Sequence, residues 1–211
     1  MTDRTNRPRD RYHAQVRAEI LTAAWEQLLG TPAADLSVKA IAAQLQLTAP
    51  ALYRYIGSRD ELLGELAVQV GEELADVVEQ AAAAAGGSPA PLVAVAVAVR
   101  RWVVAHPHHY LLRSIERPVP AAAAGAEQRA LAAIGRVCEA AGDGPRRPRP
   151  GTGGRDAAVP STTPAAQRAV CFWTRVHGVL GLELTGHLAG LGIDAETHLV
   201  REVATPDGAA V

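Results

Sequence analysis

The chain has 211 residues, 48% of them hydrophobic, which is enough for one large or two small domains with a real core and excludes disorder throughout. A formal net charge of −1 excludes coating nucleic acid by bulk charge, so any such contact must come from local placement; positions 1–59 carry seven Arg and one Lys against five acids. No run approaches the ~20 apolar residues of a membrane span, and Met1–Arg17 lacks the apolar core of a secretory signal, which points to the cytoplasm.

Aromatic residues are only 4% of the chain, and its apolar mass is mostly Ala, Leu and Val, a composition that favours helices over sheets. Residues 1–11 are expected to form a disordered basic arm, with Arg4, Arg7, Arg9 and Arg11 either reaching a minor groove or simply solvated. From Tyr12 onward Val16, Ile20, Ala24, Trp25 and Leu28 recur at helical spacing, until Gly30 and Pro32 close a first helix. Ser37 is placed to cap a second helix of two turns, in which Val38, Ile41, Ala42 and Leu45 share one face. Thr48 is placed to cap a third. Pro50 is tolerated in its first turn, where the missing N–H would be unpaired anyway, and Leu52 and Ile56 turn its apolar side inward.

Gly57 then breaks the chain, and Ser58-Arg59-Asp60-Glu61 fits a capping box at the start of a connecting helix over 58–85, with Leu63, Leu66, Val70, Leu74 and Val77 as its stripe. A helix from about Pro91 to His106 is apolar on nearly every side and belongs at the centre of a bundle. A short piece to Ile115, a helix over about Ala122–Ala141 and a long helix from about Pro164 to Leu191 follow, and Asp194 is placed to cap a last one to about Val203. Residues 142–164 lack apolar periodicity and read as a flexible loop, and 206–211 as a frayed tail. The expected fold is all-α, with about nine helices.

Two short helices joined by a three-residue turn let the second lie in a major groove while the first braces it across the backbone. The block LTAPALYRYIGSRDELL resembles the recognition helix and following helix of the TetR family of regulators, through Leu52-Tyr53, Tyr55, Ser58-Arg59 and the acid before Leu62-Leu63. Leu36-Ser37, Ile41-Ala42 and Leu45 resemble that family's second helix, and the resemblance covers about residues 12–75. Two positions depart from it: Gln46 stands at the usual turn glycine and Ile56 at the usual phenylalanine. Gln46 must then accept a left-handed or near-bridge conformation at some cost.

The resemblance implies a helix-turn-helix DNA-binding domain over 12–57, with Val38 and Lys39 at the backbone-facing start of the second helix. It places Thr48, Ala49, Pro50 and Ala51 at base edges and Tyr53, Arg54, Tyr55 and Arg59 toward phosphates. The chemistry suits these roles: cations neutralise phosphate, hydroxyls donate to it, and Pro and Ala offer apolar contact such as a thymine methyl accepts. Packing of Tyr55 in the core and solvation of Arg54 are the plain alternatives.

Further along, FWTRVHGVLGLELTGHL is similar to the Trp-x-x-x-His-Gly segment of one TetR C-terminal subgroup, through Trp173, His177 and Gly178. The resemblance implies a ligand-binding and dimerisation domain over 86–205. Trp102, His106, His109, Tyr110, Trp173 and His177 become candidates for the pocket, each of them otherwise a packed core residue. Gly178, Gly181, Leu182 and Ala189 become candidates for a dimer seam, a face equally suited to packing within one chain. The implied function is that of a ligand-responsive regulator acting as a homodimer on a double-stranded DNA operator without a cofactor, a repressor released by a small molecule, with activation left open.

Other classes find less support. A helical enzyme would need a nucleophile or a cofactor cradle, and no Gly-x-Ser-x-Gly, Walker loop, dinucleotide fingerprint or His-Glu-x-x-His is present. For a metal sensor, His106, His108, His109, His177 and His187 lack an i, i+4 pair with a carboxylate or Cys beside it. Against a redox sensor, Cys138 and Cys171 are far apart and read as free thiols packed as small apolar groups. An architectural DNA binder would not need the large apolar second half.

Overall fold

The computed structural model describes residues 8–29, 31–112, 121–141 and 163–204, and all regular structure among them is helical. Ten α-helices occur in the order α1 (Pro8–Leu28), α2 (Val38–Gln44), α3 (Ala49–Ile56), α4 (Arg59–Ala84), α5 (Pro91–Ala105), α6 (Pro107–Leu112), α7 (Ala121–Ala140), α8 (Pro164–Leu184), α9 (His187–Gly190) and α10 (Ala195–Ala204), with a 3-10 turn at Ala33–Asp35. The chain divides into two compact units, Met1–Val70 with His106–Ala123, and Gly71–Ala105 with Ala124–Val211. Helix α6 thus groups with the N-terminal helices although it follows α5 and precedes α7 in the sequence.

In the first unit α1, α2 and α3 pack against one another. Helix α1 starts at Pro8, earlier than expected, with proline in the first turn where its fixed φ suits a helix start and Asp10 beside the positive end of the dipole. Arg9 and Arg11 are accordingly helical and exposed, whereas Arg4 and Arg7 lie outside the described residues. Ile20, Leu28, Ile41, Leu52, Ile56, Leu62 and Leu63 are all at most 2% exposed. Each such side chain contributes about 1.5–3 kcal/mol by leaving water, so α2 and α3, too short to be stable alone, are held by this core.

Local chemistry sets the ends of these helices. The Ser37 hydroxyl accepts from the Ala40 N–H (3.2 Å) and the Thr48 hydroxyl from the Ala51 N–H (3.3 Å), as the sequence implies. Only half of the expected capping box forms. The Ser58 hydroxyl accepts from the Glu61 N–H at 3.0 Å, but the Ser58 N–H donates to the Ile56 carbonyl at 2.7 Å. The Glu61 carboxylate instead lies against Gly57, where an added Cβ would collide with its Oε2.

In the second unit α5, α8 and α10 pack together and α9 lies on α8. Helix α5 is less central than its composition suggests. Val95, Ala96, Val99 and Val103 are buried, yet Val104 is 48% exposed. Its Arg100 donates to both Glu183 oxygens (3.0 and 2.7 Å) and to Glu196 (2.5 Å), joining α5 to α8 and α10. Glu72, Asp76 and Glu79 share one face of α4 at helical spacing, and Arg129 of α7 binds all three. The hydrogen bond from Arg129 holds the Glu79 carboxyl below its ordinary value.

The long helix expected to Leu191 is broken. Helix α8 ends at Leu184 because Gly186 turns left-handed (φ 77°), and the Thr185 hydroxyl closes on the Gly181 carbonyl at 2.7 Å. Helix α9 ends at a second left-handed glycine, Gly192 (φ 69°), and the Asp194 carboxylate accepts from the Thr197 N–H at 2.8 Å, capping α10. The extra break raises the count to ten helices. The expected loop 142–164 falls outside the described residues except for Thr163 and Pro164, which open α8, and the tail 206–211 falls outside them altogether.

Candidate nucleic-acid interface

The turn between α2 and α3 is a Schellman motif: the Leu47 N–H donates to the Ala42 carbonyl (2.8 Å) and the Gln46 N–H to the Ala43 carbonyl (3.2 Å). Gln46 occupies the left-handed position with φ 55°, the one non-glycine residue with positive φ among those described. The turn thus reverses the chain in the way a glycine would, at a conformational cost of about 1–2 kcal/mol for an L-residue.

This turn and the caps fix which side chains α3 presents. Thr48, Pro50, Tyr53 and Arg54 are exposed, Tyr53 at 42%, and Ala49 and Ala51 are half-buried between them. On α2, Lys39 is exposed, but Val38 is only 6% exposed and belongs to the core, so its side chain is not free to meet a phosphate. Tyr55 is half-buried, its ring 4.8 Å from that of His13 on α1. The ring thus packs against α1 while staying partly exposed.

Arg59 also has partners other than the phosphate expected of it. Its Nε donates to the Leu36 carbonyl at 3.0 Å, and its Nη2 to the carbonyls of Ala33 (2.8 Å) and Ala34 (2.5 Å). Arg17, which the sequence did not single out, donates to the Tyr55 carbonyl and pairs with Glu65, tying the end of α3 to α1 and α4. Trp25 donates to Gln69 at 2.8 Å. These partners lie 38 to 48 residues apart, beyond the reach of helical periodicity.

The six candidate pocket residues divide between the units. His106, His109 and Tyr110 belong to the first. The rings of His106 and His109 stack 5.4 Å apart, His109 lies 4.1 Å from the Trp25 ring, and Tyr110 is buried. Trp102, Trp173 and His177 belong to the second. Trp173 meets His177 edge-on at 4.3 Å and donates to Glu127 at 3.3 Å, while Trp102 is half-buried on α5. A cavity of about 620 Å³ does occur in the second unit, but at the far end of α4, lined by Glu79, Ala82, Ser88, Pro91, Arg136 and Val137 among others and by none of the six.

Of the expected seam, Gly178, Leu182 and Ala189 are exposed and Gly181 is half-buried. A Cβ at Gly178 or Gly181 would meet nothing within 4 Å, so among the described residues neither glycine admits a neighbouring helix. Cys138 is buried and Cys171 exposed, which corrects the expectation that both are packed; both are free thiols.

A helix-turn-helix with an exposed recognition helix, followed by a separate all-helical unit, defines a class of regulator, and the comparisons agree. Residues 20–66 match the family described as bacterial regulatory proteins, tetR family, and residues 92–205 match the tetracyclin repressor-like C-terminal domain. The chain belongs to the TetR family. It is 35% identical to a solved crystal structure, SCO4313, described as a regulatory protein, with a TM-score of 0.71 over 94% of this chain and 98% of that one. A structure of a protein of unknown function from Rhodococcus sp. RHA1, 21% identical with a TM-score of 0.66 over 89% and 91%, shares the fold. Among curated proteins, the HTH-type transcriptional regulators Rv1816 of Mycobacterium tuberculosis and Mb1846 of Mycobacterium bovis are 41% identical over 100 residues. Those residues are 46% of this chain, and the chain spans only 43% of the length of these relatives. The family and its named relatives are regulators and not enzymes. None of the described helices is long and apolar enough to cross a membrane.

Proposed function

We propose that the protein is a ligand-responsive transcriptional regulator that binds a double-stranded DNA operator as a homodimer in the cytoplasm, and that a small molecule releases it, as from a repressor. The observation that carries this reading is the presentation of α3: capped at Thr48, reversed from α2 at Gln46, and showing Thr48, Pro50, Tyr53 and Arg54 to solvent with Lys39 beside them. In this reading Thr48, Ala49, Pro50 and Ala51 face base edges and Lys39, Tyr53 and Arg54 face phosphates.

Dimerisation is proposed through α8. Its exposed stripe of Val170, Cys171, Thr174, Gly178 and Leu182 is small or apolar and uncharged, and Gly178 and Gly181 look onto open space. For the ligand, Trp173 and His177 are proposed, since of the expected set they are the pair that meets on α8 within the C-terminal unit. The mechanism would be a population shift: a ligand that binds one arrangement of the dimer better than the other changes the spacing of the two recognition helices.

Selection of bound sequences from a random duplex pool, followed by a compound screen for release, tests the reading. A palindromic site with half-sites a helical repeat apart, released by some compound, is the expected result. Recovery of no preferred sequence would refute operator binding.

A further inference from the structure

Arg59 opens α4, where a cation is disfavoured by the positive end of the helix dipole. A guanidinium kept there needs acceptors: its Nε and Nη2 find them in the backbone, and its Nη1 lies 3.9 Å from the Asp60 carboxylate. Ala33 and Ala34 in the 3-10 turn and Leu36, which closes it, lie 23 to 26 residues earlier, immediately before Ser37 caps α2. Arg59 itself comes immediately after the Gly57-Ser58 corner that ends α3. One side chain therefore joins the chain just before α2 to the chain just after α3, closing the ends of the helix-turn-helix that the Gln46 turn joins in the middle.

We propose that Arg59 is a positioning residue for DNA recognition, which holds α2 and α3 in one register by binding three backbone carbonyls and neutralises no phosphate. The proposal rests on the DNA-binding reading above. Its chemistry requires arginine: a planar fork with five donors meets several carbonyls at once, whereas a lysine ammonium is a point charge that satisfies fewer of them. A phosphate contact has the opposite demand, because lysine neutralises a phosphate about as well as arginine does.

The test uses full-length Arg59→Lys and Arg59→Gln against the wild type, on the selected operator and on a duplex of unrelated sequence, across a range of salt concentrations. Both variants are expected to lose about tenfold in operator affinity, to keep the wild-type affinity for the unrelated duplex, and to leave the slope of log Kd against log salt unchanged. General unfolding would instead weaken both duplexes alike and overturn the positioning role. Wild-type affinity in Arg59→Lys, or a slope reduced by about 0.9 in Arg59→Gln, would assign Arg59 to a phosphate and overturn it as well. Amide hydrogen exchange gives a reading that needs no DNA: the amides of residues 37–41 are expected to lose protection in Arg59→Lys while those of α5 keep theirs. Unchanged protection would overturn the bracket even if the wild type bound no operator, an outcome that would by itself refute only the DNA-binding reading.

Discussion

Helices α3 and α8 each leave a face uncovered in the single chain, and the two faces differ in chemistry. On α3 the face is short and mixed, with a hydroxyl at Thr48, a rigid ring at Pro50, a phenol at Tyr53 and a cation at Arg54. On α8 it runs from Val170 to Leu182 and carries Val170, Cys171, Thr174, Gly178 and Leu182 without a charge. A polyanion with hydrogen-bonding edges complements the first face. The second would gain nothing from DNA, and its small residues suit the close approach of another apolar helix. The unit that carries each face is built accordingly: α3 is fixed at both ends by Thr48 and the Arg17 contact to Tyr55, whereas α8 is buried along its other side through Phe172, Trp173, Val176 and Leu180.

The largest effect separating the two faces is expected from Gly181→Arg. A Cβ there meets nothing within 4 Å, so the chain itself accommodates the new side chain and the melting temperature of the monomer should barely move. In a dimer seated on α8 the same guanidinium would be buried without a partner, at a cost of several kcal/mol. The dimer dissociation constant should then rise about a hundredfold or more. Sedimentation velocity over a concentration series measures this, and a variant that remains dimeric would take α8 out of the seam.

A smaller effect should distinguish positions within the α3 face. Tyr53→Phe removes one donor and Arg54→Gln one cation, so each should weaken binding several-fold on every sequence, and Arg54→Gln should also flatten the salt dependence by about 0.9 in slope. Thr48→Asn keeps a side-chain oxygen for the Ala51 N–H, preserving the cap, but offers an amide to the groove. It should change the preferred base sequence with little change in melting temperature. Repeating the duplex selection with this variant checks it, and an identical selected sequence would place Thr48 away from the bases.

Local chemistry is what the sequence made legible. Ser37, Thr48 and Asp194 cap the helices they precede because a hydroxyl or carboxylate reaches an N–H three residues away, a relation visible in any stretch of four residues. Gln46 could be anticipated too, since the resemblance placed a glycine there and the structure gives it φ 55°. Non-local partners were not legible. Nothing near Arg59 in the sequence points to the carbonyls of residues 33–36, and an arginine before a helix reads equally well as a phosphate contact. Gly186 misled for a related reason: a glycine within an apolar run fits the interior of a long helix as well as a helix end, and only its φ of 77° decides.

The smallest expected effect, and the one that most closely tests the geometry under α3, is that of Gln46→Gly. A left-handed L-residue costs about 1–2 kcal/mol, and the structure accepts this because the Leu47 and Gln46 amides both need acceptors and find them in the Ala42 and Ala43 carbonyls. Glycine removes that strain but returns about 0.5–1 kcal/mol through the greater freedom of the unfolded chain. The strain relief is the larger of the two, so the variant should be more stable by about 0.5–1 kcal/mol, a rise of roughly 1–4 °C in melting temperature for a chain of this size. Operator affinity should stay the same, because the turn keeps its hydrogen bonds. Thermal unfolding and operator titration of the same preparation read both quantities. A fall in stability would mean that the Gln46 side chain holds the turn by contacts worth more than its strain, and a fall in affinity alone would place that side chain on the DNA.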